Sequence, residues 1–253
     1  MSTADAPSDS VLLRDVAIVG GGCYGTFYAR QLLRAAERGA VRYRRLLIVD
    51  RHPKCRFASE VGPSDDRELV VADWSEFFDV WLADAAPARA DPPDAIVPSP
   101  LMPHLMYDWL VRRARSRWPE RVVERRALPV GPGTPYDVLA PDLTRYVSFA
   151  DWLCPTHCIE PATCPVIRAP RTWEMSEALE QLTGRLADST PTAGPVLFVC
   201  RHRVYGVGMF DVASVLAGDD VVAQAGAAHR SVDVVVGTVS ACHGAAGLLH
   251  LGP

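Results

Sequence analysis

Three cysteines close together form the densest group of metal-ligating side chains in the sequence. Cys154, Cys158 and Cys164 lie within eleven positions, and a proline directly follows the first and the last of them. Zinc and iron–sulfur clusters are bound by thiolates, and a short, stiff loop presents such ligands at low entropic cost. The spacing C-x3-C-x5-C matches neither the zinc-ribbon pairs nor the ferredoxin run. The pattern therefore predicts a metal site and leaves zinc and iron–sulfur open.

A tetrahedral or cubane site needs a fourth ligand, and the sequence offers candidates in three places. His157 lies inside the loop itself. Cys200 and His202 follow a predicted buried strand, and Cys242 and His243 hold the equivalent position after the last predicted strand. Because the carboxyl ends of strands in an open α/β sheet converge on one crevice, we expect Cys200 as the fourth ligand. His157 and His202 are the alternatives.

Two other interpretations of the cysteine loop stay open. Its thiols are either reduced and inert on a proline-rich surface loop, or Cys154 and Cys158 form a redox-sensing pair without metal. The chain has seven cysteines in 253 residues. That odd number, in a chain too long to need covalent staples, favours metal or redox chemistry over structural disulfides.

A glycine-rich motif, Gly20-Gly21-Gly22-Cys23-Tyr24-Gly25, is the second chemical feature and directly follows the apolar run 16–19. Each glycine of a Gly-x-Gly-x-x-Gly motif has its own purpose. Gly20 makes a tight turn, Gly22 lets the backbone approach a pyrophosphate, and Gly25 lets the next helix pack closely on the strand. The start of that helix offers free N–H groups and a positive dipole end to phosphates. Residues 20–25 are therefore a candidate cofactor site.

A β-α-β pattern surrounds this motif. A helical apolar stripe follows Gly25, Gly39 stands where a C-terminal cap belongs, and a second strand over 45–49 ends in Asp50. The arrangement resembles the Rossmann-type NAD(P)/FAD dinucleotide-binding family, closely over the first 50 residues and loosely over the next 60. The resemblance implies an α/β fold with a doubly wound, mostly parallel sheet. It also implies that Asp50 binds an adenosine ribose and favours NAD by repelling a 2′-phosphate, a preference that the neighbouring Arg51 weakens.

A third candidate site residue is His104. It follows a predicted strand over 94–98 and a run of prolines, and it precedes an amphipathic helix. This order is similar to the segment after the fourth strand of many nicotinamide-dependent dehydrogenases, where the loop contacts cofactor or substrate. The resemblance makes His104 a candidate proton-transfer group. The alternative is a polar residue that merely precedes a helix.

The remaining elements complete a predicted domain organisation. Helices are predicted over 73–82 and 172–186, and buried strands over 195–200 and 231–237. We expect a flexible tail over 1–10, a dinucleotide-binding core over 11–128 and a Pro/Cys-rich insertion over 129–171. Residues 172–253 are expected to add a helix and strands that complete the same sheet.

Composition narrows the classes of function. The formal net charge of −4 and the lack of a basic run argue against a nucleic-acid or anionic-membrane binder. With no secretory signal pattern and no apolar run long enough to span a membrane, we expect a cytoplasmic location. We therefore predict an NAD(P)-binding oxidoreductase that acts on a small molecule, with a homodimer or a redox partner protein left open. The alternatives are a non-catalytic nucleotide-binding redox or metal sensor and an FAD-binding protein.

Overall fold

A computed structural model describes residues 10–83, 91–155 and 158–253 of the chain. His157 and most of the predicted tail over 1–10 therefore lie outside the described residues. Within the described ranges no helix is long and apolar enough to cross a membrane.

Strands and helices alternate along much of the described chain. The strands are β1 (Val11–Leu12), β2 (Asp15–Val19), β3 (Val41–Arg42), β4 (Arg45–Asp50), β5 (Arg67–Val71), β6 (Ala95–Val97), β7 (Val123–Arg126), β8 (Tyr136–Leu139), β9 (Arg145–Ser148), β10 (Thr192–Val199), β11 (Arg201–Val204), β12 (Val207–Asp211), β13 (Val232–Val239) and β14 (His243–Leu251). The helices are α1 (Cys23–Glu37), α2 (Arg56–Glu60), α3 (Trp74–Trp81), α4 (Leu105–Arg117), α5 (Met175–Ala187) and α6 (Val212–Gly226).

The chain divides into two units, and each unit contains two separate stretches of sequence. The first unit comprises Met1–Leu101 and Arg201–Ala213, and the second comprises Met102–Cys200 and Ser214–Pro253. The hairpin of β11 and β12 thus belongs with the N-terminal residues, although it lies late in the sequence.

The first unit is built on a sheet with the strand order β11-β12-β6-β2-β4-β5. The four strands β5, β4, β2 and β6 run parallel to one another. β12 pairs with β6 antiparallel, and β11 pairs with β12 antiparallel. β2 is buried along its whole length and β4 along all but its first residue, which explains their unbroken apolar runs. α1 packs Leu32 and Ala35 into the core that these strands form.

The second unit is built on a mixed sheet with the order β10-β13-β14-β9-β8, in which β7 also pairs with β14. Only the pairing of β10 with β13 is parallel. α5 covers this sheet because Met175, Leu179 and Leu182 lie on one stripe and pack against apolar residues such as Val235 and Leu248. A three-residue turn, 240–242, joins β13 to β14.

The α/β class and several local elements agree with the sequence predictions. The helix predicted over 73–82 is α3, which Asp73 caps by accepting a hydrogen bond from Ser75 N at 2.8 Å. The predicted strand and helix around His104 are β6 and α4. α1 ends at Glu37 with Arg38 as its C-terminal cap, and Gly39 follows with φ +70, the left-handed conformation that a glycine after a helix supplies.

The predicted domain organisation is wrong in two respects. The strands expected over 195–200 and 231–237 do not complete the first sheet, because β10 and β13 lie in the second sheet. A tight turn joins β13 to β14, and the two strands pair over eight residues. This hairpin places β13 in the same sheet as β14. The segment 129–171 is not an insertion either, since it contains β8 and β9 of the second sheet. Both sheets combine parallel and antiparallel pairs.

Candidate functional site

The glycine loop connects β2 to α1 in the first unit. Gly20 N donates a hydrogen bond to Val49 O at 2.8 Å. Gly20 has φ +85, a backbone conformation that residues other than glycine rarely adopt. At Gly25 an added Cβ would lie 1.7 Å from the carbonyl oxygen of Gly20. Gly20 is therefore required by the turn, and Gly25 by the close packing of helix against loop.

Gly22 differs from both of these glycines. It caps α1 with φ −76 and ψ −155, which other residues also adopt. It is exposed, and an added Cβ would have no atom within 4 Å. No side chain among the described residues caps α1, and its first turn carries no acidic residue. The helix start is therefore open, and its first backbone N–H groups have no partner within the helix. Cys23 is exposed and Tyr24 half-buried at this helix start.

Asp50 braces the glycine loop from the end of β4. Its buried carboxylate accepts hydrogen bonds from Gly21 N at 2.7 Å and from His52 N at 2.8 Å. A carboxylate offers about four lone-pair sites, so about two remain for a ligand hydroxyl. Asp50 therefore holds the loop in place and keeps acceptor capacity beside it.

Arg51 is held at the same end of β4 by an aromatic ring. Its guanidinium carbon lies 5.2 Å from the ring centroid of Trp74, and its Nη2 lies 3.8 Å from Asp73 Oδ2. Trp74 is fixed in turn by an indole N–H that donates to Val49 O at 2.8 Å. A cation stacked on an indole keeps its charge available to an anionic ligand. The end of β4 thus presents one acidic and one basic side chain next to each other.

His104 lies in the second unit, directly before α4. Its Nε2 is 3.2 Å from the hydroxyl oxygen of Tyr146. Burial, assisted by the charge of Arg125, lowers the pKa of His104 to about 4. The imidazole is therefore neutral at neutral pH, where it can accept a proton but cannot supply one.

The cysteine loop forms one side of a pocket in the second unit. Side chains with sulfur, carboxylate, guanidinium and imidazole groups share this pocket with small and aromatic residues. The lining residues are Ala150, Trp152, Cys154, Cys158, Glu160, Pro161, Cys164, Pro165, Arg171, Cys242 and His243. The structure therefore brings the three loop cysteines together with a fourth, Cys242, which is more than 75 residues away in sequence.

Cys200, the thiol expected as the fourth ligand, follows β10 and does not line this pocket. Its backbone N–H donates to Val239 O at 2.7 Å. The alternative His202 lies in β11, which belongs to the first unit. The sequence predicted one sheet, whereas β10 and β13 lie in a second sheet and end next to the hairpin turn that carries Cys242. Cys242 and His243 after the last predicted strand were the available signal.

Glu160 fastens the cysteine loop to this turn. Its carboxylate accepts hydrogen bonds from Ser240 Oγ at 2.6 Å, from Ala241 N at 2.8 Å and from Cys242 N at 3.2 Å. Its backbone has φ 52, an uncommon conformation for a residue with a side chain. Three acceptor contacts to one turn offset the cost of burying this carboxylate. Glu160 therefore fixes Cys242 relative to the loop that carries the other three thiols.

Two aromatic rings place nitrogens near the thiols. The indole N–H of Trp173 donates to Cys242 Sγ at 3.3 Å. The imidazole of His243 contacts Ser148 Oγ at 2.9 Å through Nδ1, and its Nε2 lies 4.0 Å from Cys154 Sγ. The N–H contact from Trp173 to sulfur is the kind that tunes metal-bound thiolates.

The thiols of this pocket are free. All seven cysteines are described, and none forms a disulfide. Burial raises the pKa of Cys242 to about 11, and burial together with Cys158 and Cys164 raises the pKa of Cys154. Protonated thiols are weak nucleophiles, so the raised pKa values disfavour a reactive Cys154–Cys158 redox pair. Among the described residues, no three Cys, His, Asp or Glu side chains already converge as ligands of one metal ion.

Comparison with known proteins places the C-terminal part of the chain in a family. Residues 106–252, more than half of the chain, match the family AF_1314_C, described as "Uncharacterized protein, C-terminal domain". The match covers α4, the cysteine loop and every strand from β7 onward. No curated protein and no solved structure matches the chain.

Proposed function

The chain belongs to the AF_1314_C family, whose description names no activity, and from its glycine loop we propose that it is an NAD(P)-binding oxidoreductase acting on a small molecule. The proposal concerns the first unit, which lies mostly outside the matched residues.

The observation that carries this proposal is the open space at Gly22. The other two glycines of the motif have reasons within the protein, namely a positive φ at Gly20 and a blocked Cβ position at Gly25. Gly22 has neither reason, since its backbone angles suit any residue and nothing occupies the space in front of it. A glycine at that position is explained by a ligand that approaches the backbone, as a pyrophosphate does at a dinucleotide site.

The strand order supports the same assignment. β5-β4-β2-β6 is a parallel set in which the first, second, third and fourth of these strands in the chain have the spatial order 3-2-1-4. That order matches the first four positions of the order 3-2-1-4-5-6 found in doubly wound dinucleotide-binding sheets. The glycine loop follows β2, the first strand in that order, and the ligand crevice of such sheets lies beyond the carboxyl ends of the strands. Asp50 and Arg51 stand at the carboxyl end of the neighbouring strand, β4.

Asp50 and Arg51 bear on the choice of cofactor. The remaining acceptor sites of Asp50 suit the hydroxyls of an adenosine ribose, and its negative charge opposes a 2′-phosphate. The stacked Arg51 favours a 2′-phosphate and works in the opposite direction. We propose NAD as the preferred cofactor, because the carboxylate is buried and braced whereas the guanidinium is more than half exposed. His104, the proton-transfer candidate of the sequence analysis, lies in the second unit and is not part of this proposal.

The test is a calorimetric titration of the full chain with NAD⁺, NADH, NADP⁺ and NADPH, together with an absorbance spectrum of the purified protein. Saturable one-to-one binding of NAD(H), tighter than that of NADP(H), is the expected result. A flavin spectrum with no binding of added nicotinamide cofactors would replace the assignment with that of an FAD protein. If no cofactor binds and no flavin is present, the proposed function is overturned.

A further inference from the structure

Beyond the proposed function, we propose that Cys154, Cys158, Cys164 and Cys242 bind a metal centre through four thiolates. Zinc and an iron–sulfur cluster share this ligand chemistry. The site lies wholly within the second unit, so it depends on no feature of the glycine loop.

Four thiols from distant parts of the chain line one pocket. Three come from the loop between β9 and α5, and the fourth comes from the turn between β13 and β14. Cys164 and Cys242 are each only 9% exposed. Of seven cysteines in the chain, four line this one pocket, which is the number that a closed thiolate site requires.

The loop has an irregular conformation. Its described residues, 149–155 and 158–174, contain no helix or strand longer than an isolated bridge between Thr163 and Pro170. Leu153 is 96% exposed and Ile159 is 53% exposed, so the loop buries few of its own large apolar side chains. Glu160 ties the loop to the turn at one point. A metal bound by cysteines on both sides of Glu160 would hold the rest of the loop, as structural metal sites hold segments that lack an apolar core.

Hydrogen-bond donors surround the thiols. Trp173 donates to Cys242, Trp152 has a side-chain hydrogen bond with Cys154, and Arg171 Nε is buried with no hydrogen-bond partner among the described residues. Trp152 and Arg171 both line the pocket. Buried donors without acceptors are costly, and protonated thiols are poor acceptors. Metal-bound thiolates and cluster sulfides carry negative charge, and they would accept hydrogen bonds from the indole and the guanidinium.

The carboxylate of Glu160 is stabilised within the protein, because the backbone N–H groups of Ala241 and Cys242 donate hydrogen bonds to it. Arg171 also lines the pocket, and its guanidinium is paired with Glu174. Four thiolates around a divalent ion would leave a net charge of about −2. On binding a metal, we expect the thiols to rotate inward and release protons, because only the thiolate ligates.

The experiment compares the full-length protein with two serine variants after anaerobic purification. Cys242→Ser removes the proposed fourth ligand, and Cys200→Ser is the matched control because Cys200 does not line the pocket. Zinc, iron and acid-labile sulfide are measured per chain, and each apo protein is also titrated with Co²⁺ alone. Co²⁺ bound by thiolates gives sulfur-to-metal charge-transfer bands whose intensity grows with the number of thiolates. Far-UV circular dichroism establishes that each variant is folded.

We expect the wild-type protein and Cys200→Ser to carry the same metal and to give tetrathiolate Co²⁺ spectra. Zinc without sulfide would identify a mononuclear site, and iron with stoichiometric sulfide a cluster. Folded Cys242→Ser should retain less than a tenth of the metal, and its Co²⁺ bands should weaken. Should Cys242→Ser not fold, Cys158→Ser takes its place in the same comparison. The proposal is overturned if the wild-type protein binds neither zinc, iron nor Co²⁺, or if Cys200→Ser loses as much metal as Cys242→Ser.

Discussion

Replacing glycine by alanine should affect different properties at two positions of the glycine loop: ligand affinity at Gly22 and stability at Gly25. In Gly22→Ala the new methyl group meets no atom within 4 Å, and φ −76 is accessible to alanine. Alanine is a poorer helix cap than glycine, but it also lowers the entropy of the unfolded chain. Both effects are at most about 1 kcal/mol and opposite in sign. Gly22→Ala should therefore change the free energy of unfolding by less than about 1 kcal/mol.

Gly25→Ala should instead destabilise the first unit. Its new Cβ would lie 1.7 Å from Gly20 O and 2.8 Å from Gly20 C, both of them backbone atoms that cannot rotate away. Overpacking costs about 1–3 kcal/mol, and a backbone obstacle places this case near the upper end. For a chain of this size about 3 kcal/mol corresponds to a fall in Tm of about 6–12 °C.

The affinity for NAD(H) should instead fall more in Gly22→Ala than in Gly25→Ala. The methyl group in Gly22→Ala occupies the space through which a pyrophosphate would reach the start of α1. We expect at least a tenfold weaker Kd for NAD(H), about 1.4 kcal/mol, in a protein that is as stable as the wild type. In Gly25→Ala the new methyl group does not occupy the ligand space. The folded Gly25→Ala protein should therefore lose affinity only through displacement of its glycine loop.

Thermal unfolding and calorimetric titration of the three proteins decide the matter. If Gly22→Ala binds NAD(H) as tightly as the wild type, the open space at Gly22 serves no ligand and the prediction is wrong. If Gly22→Ala is destabilised as strongly as Gly25→Ala, Gly22 is a structural glycine and the prediction is also wrong.

Three further changes have defined outcomes. Glu160→Gln keeps the shape of the brace but weakens its contacts to the 240–242 turn, so metal content after dialysis against a weak chelator should fall several-fold relative to the wild type. Asp50→Asn places an amide group against one of two backbone N–H donors and should lower the free energy of unfolding in urea by about 1–3 kcal/mol. For His104 the folded-state pKa of about 4 lies below its usual 6.5, so the unfolded chain binds the proton more readily and stability falls as the pH drops from about 6.5 to 4. Urea unfolding at pH 7 and pH 5 should show a smaller acid-induced loss for His104→Gln than for the wild type; an equal loss would exclude His104 as its source.

The local elements of the first unit were predictable because each leaves a pattern in a short window. β2 and β4 are buried on both faces and read as unbroken apolar runs, and Gly39 marks the end of α1 by its conformational freedom. The glycine motif was equally visible, since its requirements are local backbone geometry. The role of Asp50 as a brace was not visible, because it depends on a hydrogen bond to Gly21 across 29 residues.

The long-range arrangement of the second unit was not predictable from such windows. β14 has the sequence HGAAGLLHL, whose small residues and glycines suggest a turn more than a strand. At Gly247 an added Cβ would lie 3.0 Å from the ring of Tyr107, a residue 140 positions away in the sequence. With β14 missed, β13 had no partner and was assigned to the wrong sheet, and Cys242 was passed over for Cys200. The three loop cysteines were visible because they lie close together in the sequence. Cys242 was not, because only the fold brings it to the same pocket.

The return of the chain to its first sheet has a consequence during synthesis. β6 pairs with β2 on one side and with β12 on the other, through Ile96 opposite Phe210 and Ala95 opposite Asp211. More than a hundred residues separate these partners, so a ribosome working at about 5–20 residues per second makes β12 roughly 5–20 s after β6. During that interval the nascent chain holds the glycine loop and four parallel strands, but one edge of β6 lacks its neighbour and is open to pairing with other chains. A fragment that stops at Leu101 would keep this edge permanently, so the unit that contains the glycine loop depends on a hairpin encoded within the family-specific C-terminal region to cover β6.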